Sequence, residues 1–252
     1  MSDHVLTERS GAVLTIRMSR AEKKNALTVE MYRDMTAALA NASADAAIRA
    51  IIFAGAGGVF TSGNDLKDFV ASPPVSADSP VFQFLHQLST CPKPLIAAVS
   101  GVAIGIGTTM LLHCDLSVAD PSTRFSLPFI NLGLVPEAAS SLLLPRLLGH
   151  ARASELLLLG EMFDASTAER YGIINKLSVA GQVETDAMIW AQALALKAPE
   201  ALRLTKALLK SETTGIADRM AEEGQAFGTQ LQGAEFREAI AAFMEKRAPS
   251  FN

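Results

Sequence analysis

A chain of 252 residues that is 49% hydrophobic and 19% charged can bury one large core, which excludes a disordered or low-complexity protein. Its net charge of −4, without a basic run, argues against a nucleic-acid partner. Cys91 and Cys114 make neither a disulfide framework nor a metal spacing, and His4, His86, His113 and His150 form no HExxH pair, so no metal site is expected.

The N-terminus, MSDHVLTERS, lacks the apolar core of a signal peptide, so a cytoplasmic enzyme is expected. Val5–Arg9 and Val13–Met18 alternate apolar and polar residues around Ser10-Gly11 and predict an antiparallel hairpin. Thr28 caps a predicted helix running to about Asn41, with Glu30 in its first turn. "IRAIIFAGA" predicts a short strand buried on both faces. "GGVFTSGNDLKDF" predicts a glycine turn entering a short helix, and "ASPPVSADSP" (71–80) a flexible loop. A helix over about Val81–Leu88 follows.

Leu95–Leu112, "LIAAVSGVAIGIGTTMLL", has the length of a membrane span. Its glycines, serine and threonines, with Pro92 and Pro94 before it, divide it instead into a buried strand, a glycine turn and a helix. "LSVAD" and "TRFSLPF" predict strands. "EAASSLLLPRLLG" and "ARASELLLLG" predict helices, and "TAERYGIINKLS" a helix stopped by Gly172 before a strand. From about Val183 onward only helices are predicted, near 183–197, 199–210, 216–231 and 234–246. Repeated βα units imply an α/β fold with a largely parallel sheet. The helical tail must pack on that core or on a neighbouring subunit. The division expected is a core over 1–197 and a C-terminal helical region over 198–252.

Three features carry chemistry. Ser62-Gly63-Asn64-Asp65-Leu66 and Gly101–Gly107 each lead from a strand into a helix start, where backbone N–H groups are free. The second fails the dinucleotide fingerprint, because Met110 stands where the third glycine belongs, and it lacks a P-loop lysine. Each alone reads as a packed turn. If both point at one spot, two N–H groups can hold one developing oxyanion, which suits acyl chemistry. Glu137, in "LGLVPEAASS", reads as a first-turn helix carboxylate as readily as a catalytic one. Its small neighbours leave room beside it, and burial would raise its pKa toward a useful base.

"KKNALT", "FTSGNDLKDF", "CPKPLIAAVSGVAIGIGTTMLLHCDLSVAD", "TRFSLPFINLGLVPEAASSLLLPRLLG" and "FMEKRAPSF" resemble, in order from residue 5 to the C-terminus, the enoyl-CoA hydratase/isomerase (crotonase) superfamily. The resemblance implies a crotonase-like spiral of ββα units whose C-terminal helical region trimerises, with trimers that often pair into hexamers. It implies acyl-CoA thioester substrates and no cofactor beyond the coenzyme A of the substrate. It assigns the oxyanion-holding N–H groups to Asn64 and Ile106, each able to stabilise an enolate by about 3 kcal/mol. It places coenzyme A along Lys24, Asn25, Ala26, Leu27 and Ser62, with Lys246 as a phosphate contact. Leu66, Phe129 and Leu134 are the implied acyl pocket, with loop 71–80 and the helix after it shaping its end.

Acid/base residues separate the branches of that superfamily. Its hydratases carry two glutamates at the places held here by Thr109 and Phe129. Glu137 instead stands where the peroxisomal-type Δ3,Δ2-enoyl-CoA isomerases carry theirs. The resemblance therefore implies a single-base 1,3-proton shift. A hydratase, a ring-type acyl-CoA isomerase and a non-catalytic acyl-CoA-binding module are the alternatives.

Overall fold

The computed structural model of the chain describes residues 3–74, 78–211 and 215–251. Strands β1 (Val5–Ser10) and β2 (Val13–Met18) form the predicted hairpin, in antiparallel register from Val5 opposite Met18 to Ser10 opposite Val13. Helix α1 (Val29–Ala44) runs three residues further than its sequence pattern suggests; the Thr28 hydroxyl caps it by accepting the Met31 N–H. Strand β3 (Ala50–Gly55) lies parallel to β2. Helices α2 (Leu66–Ala71) and α3 (Pro80–Thr90) take up both ends of the predicted loop 71–80, whose residues 75–77 lie outside those described.

Strands β4 (Leu95–Val99) and β5 (Val102–Ile104) are separated by the turn at Gly101. Helix α4 (Ile106–Thr109) is one turn long and tightens into a 3₁₀ turn over Met110–His113. Strands β6 (Leu116–Ala119) and β7 (Arg124–Ser126), helices α5 (Ser140–Leu148) and α6 (His150–Leu159), strand β8 (Met162–Asp164), helix α7 (Ala165–Arg170) and strand β9 (Lys176–Leu177) follow. The tail is helical as expected: α8 (Val183–Ala195), α9 (Pro199–Ser211), α10 (Ile216–Leu231) and α11 (Ala234–Glu245).

The main sheet has the order β1-β2-β3-β4-β6-β9, parallel from β2 onward. Alternate residues of its strands face opposite layers. Ile51 and Phe53 of β3 and Leu95, Ala97 and Val99 of β4 enter the larger core, beneath α1 and α3. Ala50, Ile52, Ile96 and Ala98 face the other way, against Val183, Ala187 and Ala191 of α8. Burial on both faces explains why these strands are apolar throughout. Phe84 of α3 packs against Tyr32 of α1 at 5.5 Å and edge-on to Phe53 at 6.2 Å. Each such buried ring contributes about 1.5–3 kcal/mol, and the cluster fixes α1 over the sheet.

A second sheet, β5-β7-β8, stands apart. Its strands are three residues long, and two of them, β5 and β8, are absent from the sequence expectation. A bridge between Thr61 and Ala103 ties the first glycine turn to β5.

One expectation needs correction. Helix α5 begins at Ser140, not at Glu137. Ala138 and Ala139 lie in the left-handed region, with φ of 60° and 55°, which no α-helix tolerates. Glu137 therefore stands outside the helix, two residues before its N-cap.

Candidate active site

Two glycine turns form the floor of the site, and backbone contact holds them together. A methyl group on Gly63 (φ 89°) would lie 2.9 Å from the Ile104 carbonyl oxygen, and one on Gly107 would lie 2.7 Å from the Thr61 methyl. Glycine is required at both because a side chain at 63 would meet the Ile104 backbone and one at 107 the Thr61 side chain. The Thr61 N–H donates to the Val102 carbonyl (3.0 Å) and the Ile104 N–H to the Thr61 carbonyl (3.1 Å), fixing their relative height.

On the far side, the Leu27 N–H donates to the Gly63 carbonyl (2.8 Å) and the Asp65 N–H to the Leu27 carbonyl (2.8 Å). This parallel bridge turns the Asn64 N–H away from Leu27. Ile106 is the first residue of α4, where an N–H has no partner inside the helix. Among the described residues, neither the Asn64 nor the Ile106 N–H has an acceptor, and both residues line one cavity of about 1040 Å³.

Of the residues singled out in the sequence, Ala26, Ser62, Asn64, Leu66, Ile106, Phe129 and Leu134 all line this cavity. Lys24, Asn25, Leu27, Glu137 and Lys246 are not in its wall. Lys24 and Lys246 are exposed, while Leu27 is core.

Asn25 is fully buried and spends its side chain on the loop. Its Oδ1 accepts the Arg20 N–H (2.8 Å), and its Nδ2 donates to the carbonyls of Ala56, Val59 and Phe60. It has no atom left for a ligand. Asn25→Ala leaves several buried backbone groups unsatisfied, so we expect a loss of about 3 kcal/mol in denaturant unfolding. A variant as stable as the parent would contradict this structural role.

The helical tail closes the cavity. Phe227 of α10 packs edge-on against Phe69 of α2 (5.9 Å), and Ala239, Ala242, Phe243, Met244 and Arg247 line the wall from α11 and the segment after it. Arg20, Lys23, Lys67 and Arg247 bring positive charge to the same wall. Arg20 is paired with Asp65 at 2.7 Å.

Glu137 is 5% exposed. Its Oε1 accepts the Thr109 hydroxyl at 2.7 Å. Thr109 is three residues after Ile106 on α4, about 4.5 Å along the helix axis. From the other turn, the Tyr32 hydroxyl donates to Asn64 Oδ1 at 2.5 Å, and its buried phenol stands within electrostatic reach of Glu137. The carboxylate is thus bonded to the helix that begins at Ile106, and Tyr32, within its electrostatic reach, is bonded to Asn64. Burial pushes its pKa up to about 7; the Thr109 hydrogen bond pulls the other way, and the charge of Glu223 adds to the rise. Burial also raises the Tyr32 pKa, as does Glu137, so that phenol stays neutral.

The loop that carries Glu137 is pinned at each residue. The Glu137 carbonyl accepts both the N–H (3.0 Å) and the hydroxyl (2.6 Å) of Ser140. His113 Nε2 donates to the Ala138 carbonyl at 2.8 Å. Burial pulls that imidazole down to about 4, so it is neutral. Tyr32 and Glu223 were not singled out in the sequence. Tyr32 sits among Met31 and Met35 like any core aromatic, and Glu223 in a Glu222-Glu223 pair like any solvated helix charge. Among the described residues, no group of His, Cys, Asp or Glu could hold a metal ion, and no helix is long and apolar enough to cross a membrane.

Residues 8–252 match the family model for enoyl-CoA hydratase/isomerase. The chain is 32% identical to 1,2-epoxyphenylacetyl-CoA isomerase of Escherichia coli (strain K12), covering 100% of this chain and 99% of that protein. It is also 32% identical to enoyl-CoA delta isomerase 2 of Rattus norvegicus, covering 98% of this chain and 64% of that protein. Among solved structures, OdaA of Pseudomonas aeruginosa matches with a TM-score of 0.94 and 46% identity, over 96% of this chain and 99% of that one. Paired free N–H groups on two glycine turns, in this fold and with these relatives, have one family explanation: the chain is a crotonase-fold member of the enoyl-CoA hydratase/isomerase family.

Proposed function

We propose that the protein is a Δ3,Δ2-enoyl-CoA isomerase that uses Glu137 as its single base. The observation carrying this reading is the carboxylate itself. It is buried, raised to about 7 and hydrogen-bonded to Thr109 on the helix that Ile106 begins, while Thr109 and Phe129 occupy the other two acid/base places. The N–H groups of Asn64 and Ile106 hold the thioester oxygen. Glu137 takes a proton from C2, and the electrons of that C–H bond move into a dienolate whose negative charge rests on the held oxygen. The protonated Glu137 then gives the proton to C4. The double bond shifts from C3–C4 to C2–C3, and the carbonyl re-forms.

Hydration needs a further group to position and deprotonate water. Thr109 donates its hydroxyl to Glu137, Phe129 is apolar, and both Glu223 oxygens accept backbone N–H groups. A ring-type acyl-CoA isomerase is the second reading, favoured by the aromatic wall of Phe69, Phe129 and Phe227. For coenzyme A, Ala26 and Ser62 offer backbone and hydroxyl contacts, and Lys23, Arg20 and Arg247 offer charge for phosphates. Lys24 and Lys246, exposed and adjacent in sequence to Lys23 and Arg247, are further phosphate contacts in this reading.

Purified protein should convert trans-3-hexenoyl-CoA to the 2-enoyl thioester and leave crotonyl-CoA unhydrated. Fast hydration of crotonyl-CoA would overturn the isomerase, and acyl-CoA binding with neither activity would favour a binding module. We also propose a homotrimer or a pair of trimers. Leu196, Leu204 and Leu209 around α9 are 88%, 47% and 78% exposed, an apolar face that association would cover. Mass measurement in solution should give three or six chains of 26.7 kDa; a monomer would contradict it.

A further inference from the structure

Glu223 is 6% exposed and sits on α10, more than eighty residues from the loop it touches. Its Oε2 accepts the Ala139 N–H at 2.6 Å and its Oε1 accepts the Ser141 N–H at 2.9 Å. Helix α5 has no side-chain cap of its own at Ala139. Two consecutive alanines with positive φ are costly, and they persist only where surrounding bonds over-determine them. Those bonds come from Glu223 on one side and from His113, through the Ala138 carbonyl, on the other. The carbonyl of Glu137 is tied in turn to Ser140, between the two N–H groups that Glu223 holds.

We propose that Glu223 is a positioning residue for the Glu137 carboxylate: it clamps the left-handed Ala138-Ala139 link and sets a second buried negative charge against the base. An ordinary remote helix cap would stabilise α5 and do no more. The clamp proposed here also tunes proton affinity, because a like charge nearby favours the protonated form of Glu137. The titratable groups facing Glu137 are Tyr32 from α1, His113 from the turn after α4, and Glu223 from α10. Tyr32 and His113 are both neutral near pH 7, as their burial dictates. That leaves Glu223 as the charged group coupled to the base among the described residues. Burial raises the Glu223 carboxyl above its ordinary range, while the Ser141 and Ala139 N–H groups on its two oxygens, and then Arg219 of its own helix, favour the ionised form.

The kinetic part of this inference rests on reading Glu137 as the base; the titration part does not. The experiment is a pH titration of the intact protein carrying 13C-carboxyl glutamate, with the Glu137 signal assigned by its loss in Glu137→Gln. Wild type should show a Glu137 midpoint near 7. In Glu223→Gln that midpoint should move down, and in wild type the Glu223 signal should carry an inflection at the Glu137 midpoint, as coupled sites do. An unchanged midpoint in Glu223→Gln overturns the tuning role and leaves only a cap. If that variant fails to fold, an absent shared inflection in wild type overturns it equally. In the isomerase assay, Glu223→Asp, with its shorter reach, should lose kcat on the order of 100-fold at nearly constant KM, the scale of a misplaced reacting group. Parent-like kcat in that variant would overturn the positioning role. A wild-type protein that turns over no 3-enoyl thioester would instead overturn the isomerase reading, with the titration still deciding this one.

Discussion

Replacing Glu137 with Gln should lower kcat for 3-enoyl-CoA isomerisation by about 10²–10⁴-fold, the range supplied by a positioned acid/base group. The change is close to isosteric, and a Gln Oε1 can still accept the Thr109 hydroxyl bond seen at 2.7 Å. Acyl-CoA affinity should therefore stay near that of the parent, because the N–H donors at Asn64 and Ile106 and the cavity wall are untouched. Rate loss with retained affinity is the signature of a group acting in the transition state. A variant turning over at the parent rate would remove Glu137 from the mechanism.

The same substitution should stabilise the protein in alkaline solution. The Glu137 pKa rises from 4.5 to about 7 on folding, because burial penalises the charged form. Between those values the folded state binds more protons than the unfolded state. Stability from this group is therefore fully present below pH 4.5 and lost as pH rises through 7. The loss is on the order of 3 kcal/mol. Glu137→Gln carries no such penalty, so its advantage over the parent should grow between pH 4.5 and 7 and level off above. His113 slopes the other way. Its pKa falls from 6.5 to about 4, so its neutral form supports the fold above pH 6.5 and that support is lost as pH falls through 4. Both proteins share that contribution, and it cancels in the difference. Denaturant unfolding of the two proteins across pH 4–9 checks this, and a difference independent of pH would contradict the burial of an ionisable Glu137.

Most of the main sheet was legible because burial on both faces leaves a run such as "AIIFAG" without polar interruption. The second sheet was not. Val102–Ile104 is only three residues between glycines, and Met162–Asp164 ends in the residue that caps α7. Neither is long enough to show a period. Helix α5 was placed too early because alanine favours helices, and Ala138 and Ala139 are kept out of one by Glu223 and His113, partners distant in sequence. The free N–H groups of Asn64 and Ile106 were legible because a glycine turn at a helix start frees an N–H through local geometry alone. The setting of Glu137 was not, since Tyr32 and Glu223 reach it only through tertiary packing. The bonding of Asn25 was not legible either, because the carbonyls its side chain holds, at Ala56, Val59 and Phe60, lie more than thirty residues along the chain.

The most direct test of a single carboxylate carrying the proton is isotopic. 3-Hexenoyl-CoA deuterated at C2, turned over once in ordinary water, should yield 2-enoyl product with part of the deuterium at C4. A buried Glu137, 5% exposed and held by Thr109, exchanges slowly enough with solvent to return some of the label it removed. Product that keeps its one remaining C2 deuterium but carries only solvent hydrogen at C4 would contradict the one-base account.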